Sequence, residues 1–153
     1  LNVYGGGPSA LSSQAGISLD VAKKVLKAFN DTYKGVSKFS QLMSNQAKRH
    51  GYVTTPTGRR LYVDRERSYS ATNYVIQSTS RDVTASALVL LEKAGLSQYL
   101  RLPIHDEIVA SVPAGDAEEI SREIGRVMTQ TLRGVEIATD PEVGGRSWGS
   151  LYE

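Results

Sequence analysis

The chain has 153 residues, 40% of them apolar and 22% charged, which allows one hydrophobic core and excludes wholesale disorder or a collagen-like repeat. No apolar run approaches the ~18 residues of a membrane span, so no membrane partner is expected, and the lack of cysteine excludes a disulfide framework, a thiolate zinc site and a cysteine nucleophile. The net charge of +2 hides an asymmetry: Leu1 to Leu90 carries twelve basic and five acidic residues, Leu91 to Glu153 six basic and eleven acidic. A basic first part suits a polyanion and an acidic second part a cation, while charges scattered over solvated faces would give similar counts.

In chain order, Leu1 is not methionine and no signal-peptide zones follow, which reads as a piece of a longer protein. Gly5, Gly6, Gly7 and Pro8 mark a break. Ser18 then caps a helical pattern of Val21, Val25, Ala28 and Phe29, with Lys23, Lys24 and Lys27 on its other face. After Gly35, the residues Val36, Phe39, Leu42 and Met43 repeat the helical period until Gly51, which follows the basic turn Lys48, Arg49, His50. Residues 51–63, GYVTTPTGRRLYV, read as a hairpin with Arg59 and Arg60 at its tip. From Ser68 to Gly95 there is no proline, and Ile76, Thr79, Val83, Ala87 and Leu90 keep helical spacing, which predicts one long helix over 68–94 closed by Gly95.

Tyr99 to Ile104 and Ile108 to Val112 are two short apolar runs separated by His105, Asp106 and Glu107, a hairpin with charges at its turn. Asp116 and Glu119 form a capping-box pattern for a helix over 116–133 whose core face is Ile120, Ile124, Val127, Met128 and Leu132. Gly134 closes it, Val135 to Gly144 reads as a last strand, and Arg146, Ser147 and Trp148 form a terminal anchor.

Two stretches could carry chemistry. Adjacent carboxylates at a turn repel each other unless a cation or an arginine stabilises them, and Mg²⁺ prefers carboxylate oxygen, although turns are rich in Asp and Glu for ordinary reasons. With only His50 and His105 available, a metal here would be held by oxygen rather than by histidines alone. In the long helix, Asn73 and Gln77 are four residues apart and share a face, so two amides project together. Amides can read the minor groove, where every base pair presents an acceptor; an exposed polar helix start would look the same.

The ordered set Tyr4-Gly5, Gly51-Tyr52-Val53, Thr57-Gly58-Arg59-Arg60-Leu61-Tyr62-Val63, Ala71-Thr72-Asn73, Ile76-Gln77-Ser78-Thr79 and His105-Asp106-Glu107 resembles the family A DNA polymerases of the DNA polymerase I type over nearly the whole chain. The resemblance points to a phage or bacterial source and to the cytoplasm of a bacterium or of a phage-infected host. It implies an α+β fold, with the C-terminal part of the fingers at 1–50 and the palm at 51–153, a small antiparallel sheet packed by helices. It implies that Asp106 holds catalytic Mg²⁺ with Glu107 in support, that His105 approaches the primer terminus, and that Asn73 and Gln77 contact the minor groove of the new duplex. Tyr4 would lie near the nascent pair, while Arg59 and Arg60 would meet phosphate or an intramolecular carboxylate. The implied reaction is attack of a primer 3′-hydroxyl on the α-phosphate of a dNTP, on primer-template DNA, with two Mg²⁺ ions in the complete enzyme. The family's other catalytic aspartate and its triphosphate-binding residues lie upstream of Tyr4-Gly5, so the chain alone would be incomplete and need an N-terminal polymerase segment, in the same chain or as a split partner.

Ser78 stands where the family usually has glycine, Arg81 where a small residue is usual, and Val75 where proline is common, so helix packing or DNA approach near Gln77 would differ. A second reading is a non-catalytic DNA-binding module in which the basic part grips phosphate and Asp106 and Glu107 only shape a turn. A metal-dependent nuclease is a weaker third, because no further carboxylate pair clusters in the sequence.

Overall fold

Among the residues described by the computed structural model, 6–151, five α-helices and three two-stranded antiparallel ladders follow one another along the chain. The chain divides into two units, the first ending at Thr79 and the second beginning at Ser80.

In the first unit, α1 (Pro8–Ala15) was not expected: Pro8, read as part of a break, sits at the start of this helix, where its missing N–H costs nothing. The helix α2 (Leu19–Thr32) begins as expected, with the Ser18 hydroxyl accepting from the Val21 N–H at 3.3 Å. Helix α3 (Lys34–His50) ends at Gly51. The expected hairpin follows, with β1 (Tyr52–Thr54) paired to β2 (Arg60–Tyr62) and Val53 opposite Leu61. Its loop is closed by the buried Thr55, whose hydroxyl accepts from the Arg59 N–H at 3.1 Å and shares a hydrogen bond with Thr57 at 2.7 Å.

The long helix starts later than Ser68. Residues Arg65–Ser70 form a 3₁₀ turn with non-helical dihedrals at Arg67, and α4 runs over Ala71–Lys93. The cause is local competition for the backbone: the Asp64 carboxylate accepts from the Glu66 N–H at 3.0 Å, and the Ser70 hydroxyl donates to the Arg67 carbonyl at 2.8 Å. The core of this unit joins Ala47 of α3, Val53 and Val63 of the hairpin region, and Ala71 and Val75 of α4, with Met43 and Leu61 packed against them. Two hydroxyl pairs, Ser40 with Thr72 at 2.9 Å and Ser44 with Ser68 at 3.2 Å, satisfy the polar groups beside it.

In the second unit, the end of α4 is a full Schellman closure: the Gly95 N–H reaches the Glu92 carbonyl at 3.0 Å and the Leu96 N–H reaches Leu91 at 2.9 Å. Gly95 has φ of +75°, a backbone that a Cβ would penalise. Strand β3 (Leu100–Ile104) pairs with β4 (Glu107–Ala110), with one extra residue between Leu100 and Leu102. Helix α5 spans Ala117–Met128.

The proposed capping box does not form. Asp116 closes a 3₁₀ turn at φ −113°, ψ 7°, away from the extended backbone that aims an N-cap side chain at the first turn, and it makes no capping bond. Leu132 is not on the helix either. Thr129 turns extended, and β5 (Gln130–Leu132) pairs with β6 (Val135–Ile137) around Arg133 and Gly134, whose φ values are 52° and 84°. The last strand therefore ends at Ile137, three residues before Asp140-Pro141, rather than at Gly144. The expected small sheet is thus three separate ladders in an α+β chain.

Candidate active site and nucleic-acid interface

Ile104 pairs directly with Glu107, so the turn of the β3–β4 hairpin has only two residues, His105 and Asp106. The favoured two-residue hairpin loops take positive φ at the first central position, and His105 does so with φ 52°, although it is not glycine. His105 and Asp106 are exposed at the tip, and Glu107, expected in the turn, is instead the half-buried first residue of β4. The Asp106 and Glu107 side chains thus leave the chain from different local structures, one from the turn and one from the strand.

Glu107 has a partner that the sequence reading missed: the Trp148 indole Nε1–H donates to its Oε1 at 2.8 Å. Trp148 opens the 3₁₀ turn Trp148–Leu151, and the anchor expected at Arg146 to Trp148 is therefore an anchor for a carboxylate. The signal available in sequence was the chain's single tryptophan, isolated among Gly and Ser.

In the first unit, Asn73 and Gln77 lie one turn apart on α4. Gln77 is exposed, while Asn73 is half-buried with its Oδ1 buried and without a hydrogen-bond partner. The two arginines of the hairpin behave differently. Arg59 Nη2 donates to the Ser78 carbonyl of α4 at 3.0 Å. Arg60 stacks its guanidinium over Tyr52 at 5.0 Å, and the Tyr52 and Tyr62 rings stand edge to face at 6.3 Å. Tyr62 is 81% exposed, so this hairpin face offers a cation and aromatic rings to solvent. Tyr4 lies outside the described residues.

The donor chemistry at the turn fits Mg²⁺, which is commonly held by one or two carboxylates with waters and substrate phosphates completing its shell. Among the described residues, no group of three or more potential ligands gathers to complete a protein-only site. Also among them, no helix is long and apolar enough to cross a membrane.

Residues 2–150 match the sequence profile of DNA polymerase family A, and the chain belongs to that family. It is 58% identical over 150 residues to a DNA polymerase of Mycobacterium phage D29, and 56% identical to that of Mycobacterium phage L5, each over 98% of this chain and 25% of the relative. It is 30% identical to DNA polymerase I of Treponema pallidum, over 98% of this chain and 16% of that protein. Among solved structures, the POL domain of Pol1 from M. smegmatis, in complex with DNA primer-template and dNTP, is similar with a TM-score of 0.82 at 27% identity, covering 99% of this chain and 29% of that one. The chain therefore spans about a quarter of the length of the phage relatives.

Proposed function

We propose that this chain forms the C-terminal part of the fingers (residues 1–50) and the palm (51–153) of a DNA-directed DNA polymerase, which adds nucleotides from dNTPs to a primer 3′-hydroxyl. The observation that carries the reading is the two-residue turn that exposes Asp106 beside Glu107 at the tip of the β3–β4 hairpin, in a chain matched by the family profile over residues 2–150.

Asp106 would hold Mg²⁺ through its exposed carboxylate, with Glu107 in support. When bound, the metal neutralises phosphate charge and acidifies the primer hydroxyl. His105 faces the primer terminus, and Asn73 and Gln77 test the minor groove of the new duplex, where a mismatch displaces the acceptors they expect. Arg60 is free of the α4 contact that engages Arg59 and is the better placed of the two to meet phosphate. Tyr4 would lie near the nascent pair. Asp106 and Glu107 are sequence neighbours on one hairpin and cannot both supply the opposed positions of a two-ion clamp, so another carboxylate comes from an upstream polymerase segment. The reaction takes place on primer-template DNA in the cytoplasm of a bacterium or of a phage-infected host.

Asp106→Asn in the complete polymerase tests this reading. Nucleotide incorporation falls about 10³-fold, the several kcal/mol that a metal's charge stabilisation supplies, while the affinity for primer-template DNA stays within about twofold. Unchanged incorporation would favour the non-catalytic DNA-binding module.

A further inference from the structure

Glu107 carries a carboxylate on a flexible stem, and fixing it on β4 takes an anchor beyond the strand itself. The Trp148 indole provides one. Its N–H can only donate and an ionised carboxylate can only accept, so the 2.8 Å contact to Oε1 has one chemical sense.

The segment that carries Trp148 is built to hold its place. The Ser150 hydroxyl accepts from the Gly145 N–H at 2.7 Å and donates to the Ser147 carbonyl at 2.5 Å. A Cβ on Gly144 would stand 2.7 Å from Leu151 Cδ2 and 2.8 Å from Ser150 Oγ, so the Leu151 and Ser150 side chains lie close over Gly144. Upstream, the Pro141 ring presses on α5 where a Cβ on Gly125 would be 2.9 Å from Pro141 Cγ. Two close approaches, one at each end of residues 141–151, thus fix the tail that delivers the indole.

We propose that Trp148 is a positioning residue of the nucleotidyl-transfer site: its indole N–H pins one oxygen of Glu107, so the C-terminal tail sets the geometry of the Asp106–Glu107 pair. This rests on the polymerase reading above.

The test uses the complete polymerase carrying Trp148→Phe, which keeps an aromatic ring and removes the donor. The expected result is a fall of about 3- to 10-fold in kcat for single-nucleotide incorporation, the range for losing one solvent-exposed hydrogen bond of ordinary net strength, with unchanged KM for DNA and unchanged Tm. On a Glu107→Ala background the same substitution adds no further loss, because the effect runs through Glu107. A readout without catalysis is the Trp148 indole N–H resonance, assigned in labelled protein from its connectivity to the Trp148 backbone. In metal-free protein it moves upfield and exchanges faster with solvent in Glu107→Ala, and this holds whether or not Trp148→Phe folds. An unchanged kcat, additive losses, or an indole signal indifferent to Glu107 would each overturn the inference. Asp106→Asn separates the two levels: an enzyme that needs Asp106 but ignores Trp148 rejects the positioning role alone, whereas one that ignores Asp106 rejects the polymerase reading and this inference with it.

Discussion

His105 sits at φ 52°, where a side chain other than glycine costs about 1–2 kcal/mol. The β3–β4 turn therefore keeps a strained histidine beside Asp106, in keeping with the role proposed for it at the primer terminus. His105→Gly relieves that strain but adds about 0.5–1 kcal/mol of backbone entropy to the unfolded chain, so we expect a net gain of up to about 1 kcal/mol in urea unfolding. Primer extension by the complete polymerase should fall in the same variant. A loss of stability would contradict the strain argument. At this scale the place of Asp106 in the turn was legible because charges at a hairpin tip are conspicuous. The place of Glu107 was not, because Ile104-His105-Asp106-Glu107 lacks the Asn-Gly or Asp-Gly that announces a two-residue turn. Nor was its partner, which comes from 41 residues further along the chain.

The elements obeyed local chemistry where caps are strong. Ser18 capped α2, Gly51 and Gly95 closed α3 and α4, and the loop of residues 51–63 formed its hairpin. The readings that failed are those where a short-range alternative beat the periodic pattern. Side-chain bonds at Asp64 and Ser70 delayed α4, and Arg133-Gly134 drew Leu132 into a hairpin even though it continues the apolar helical spacing. Helix α5 contains Gly125 for a reason its propensity opposes: the Pro141 ring occupies the space of a Cβ. Gly125→Ala gains about 1 kcal/mol of helix propensity and loses about 1–3 kcal/mol to overpacking. We expect net destabilisation of about 1 kcal/mol by thermal or urea unfolding, with the tail carrying Trp148 loosened. A stabilised variant would show that the proline moves aside freely.

For the whole molecule, the basic excess up to Leu90 and the acidic excess beyond it follow the division of labour proposed for the two units: amides and arginines for DNA in the first, carboxylates for a metal in the second. Family membership was legible because its motifs stand in order along nearly the entire chain, and a profile match over residues 2–150 bears this out. What the described residues hold together is a carboxylate turn and its anchor, not a closed set of metal ligands. The central claim is that this chain supplies one side of a polymerase active site and depends on an upstream segment for the other. The most direct test is primer extension with Mg²⁺ and all four dNTPs, by this chain alone and then mixed with the segment that precedes the matching quarter of the phage D29 relative. We expect no extension by the chain alone, extension on mixing, and its loss with Asp106→Asn. Extension by the unaccompanied chain, or silence in a folded mixture, would contradict it.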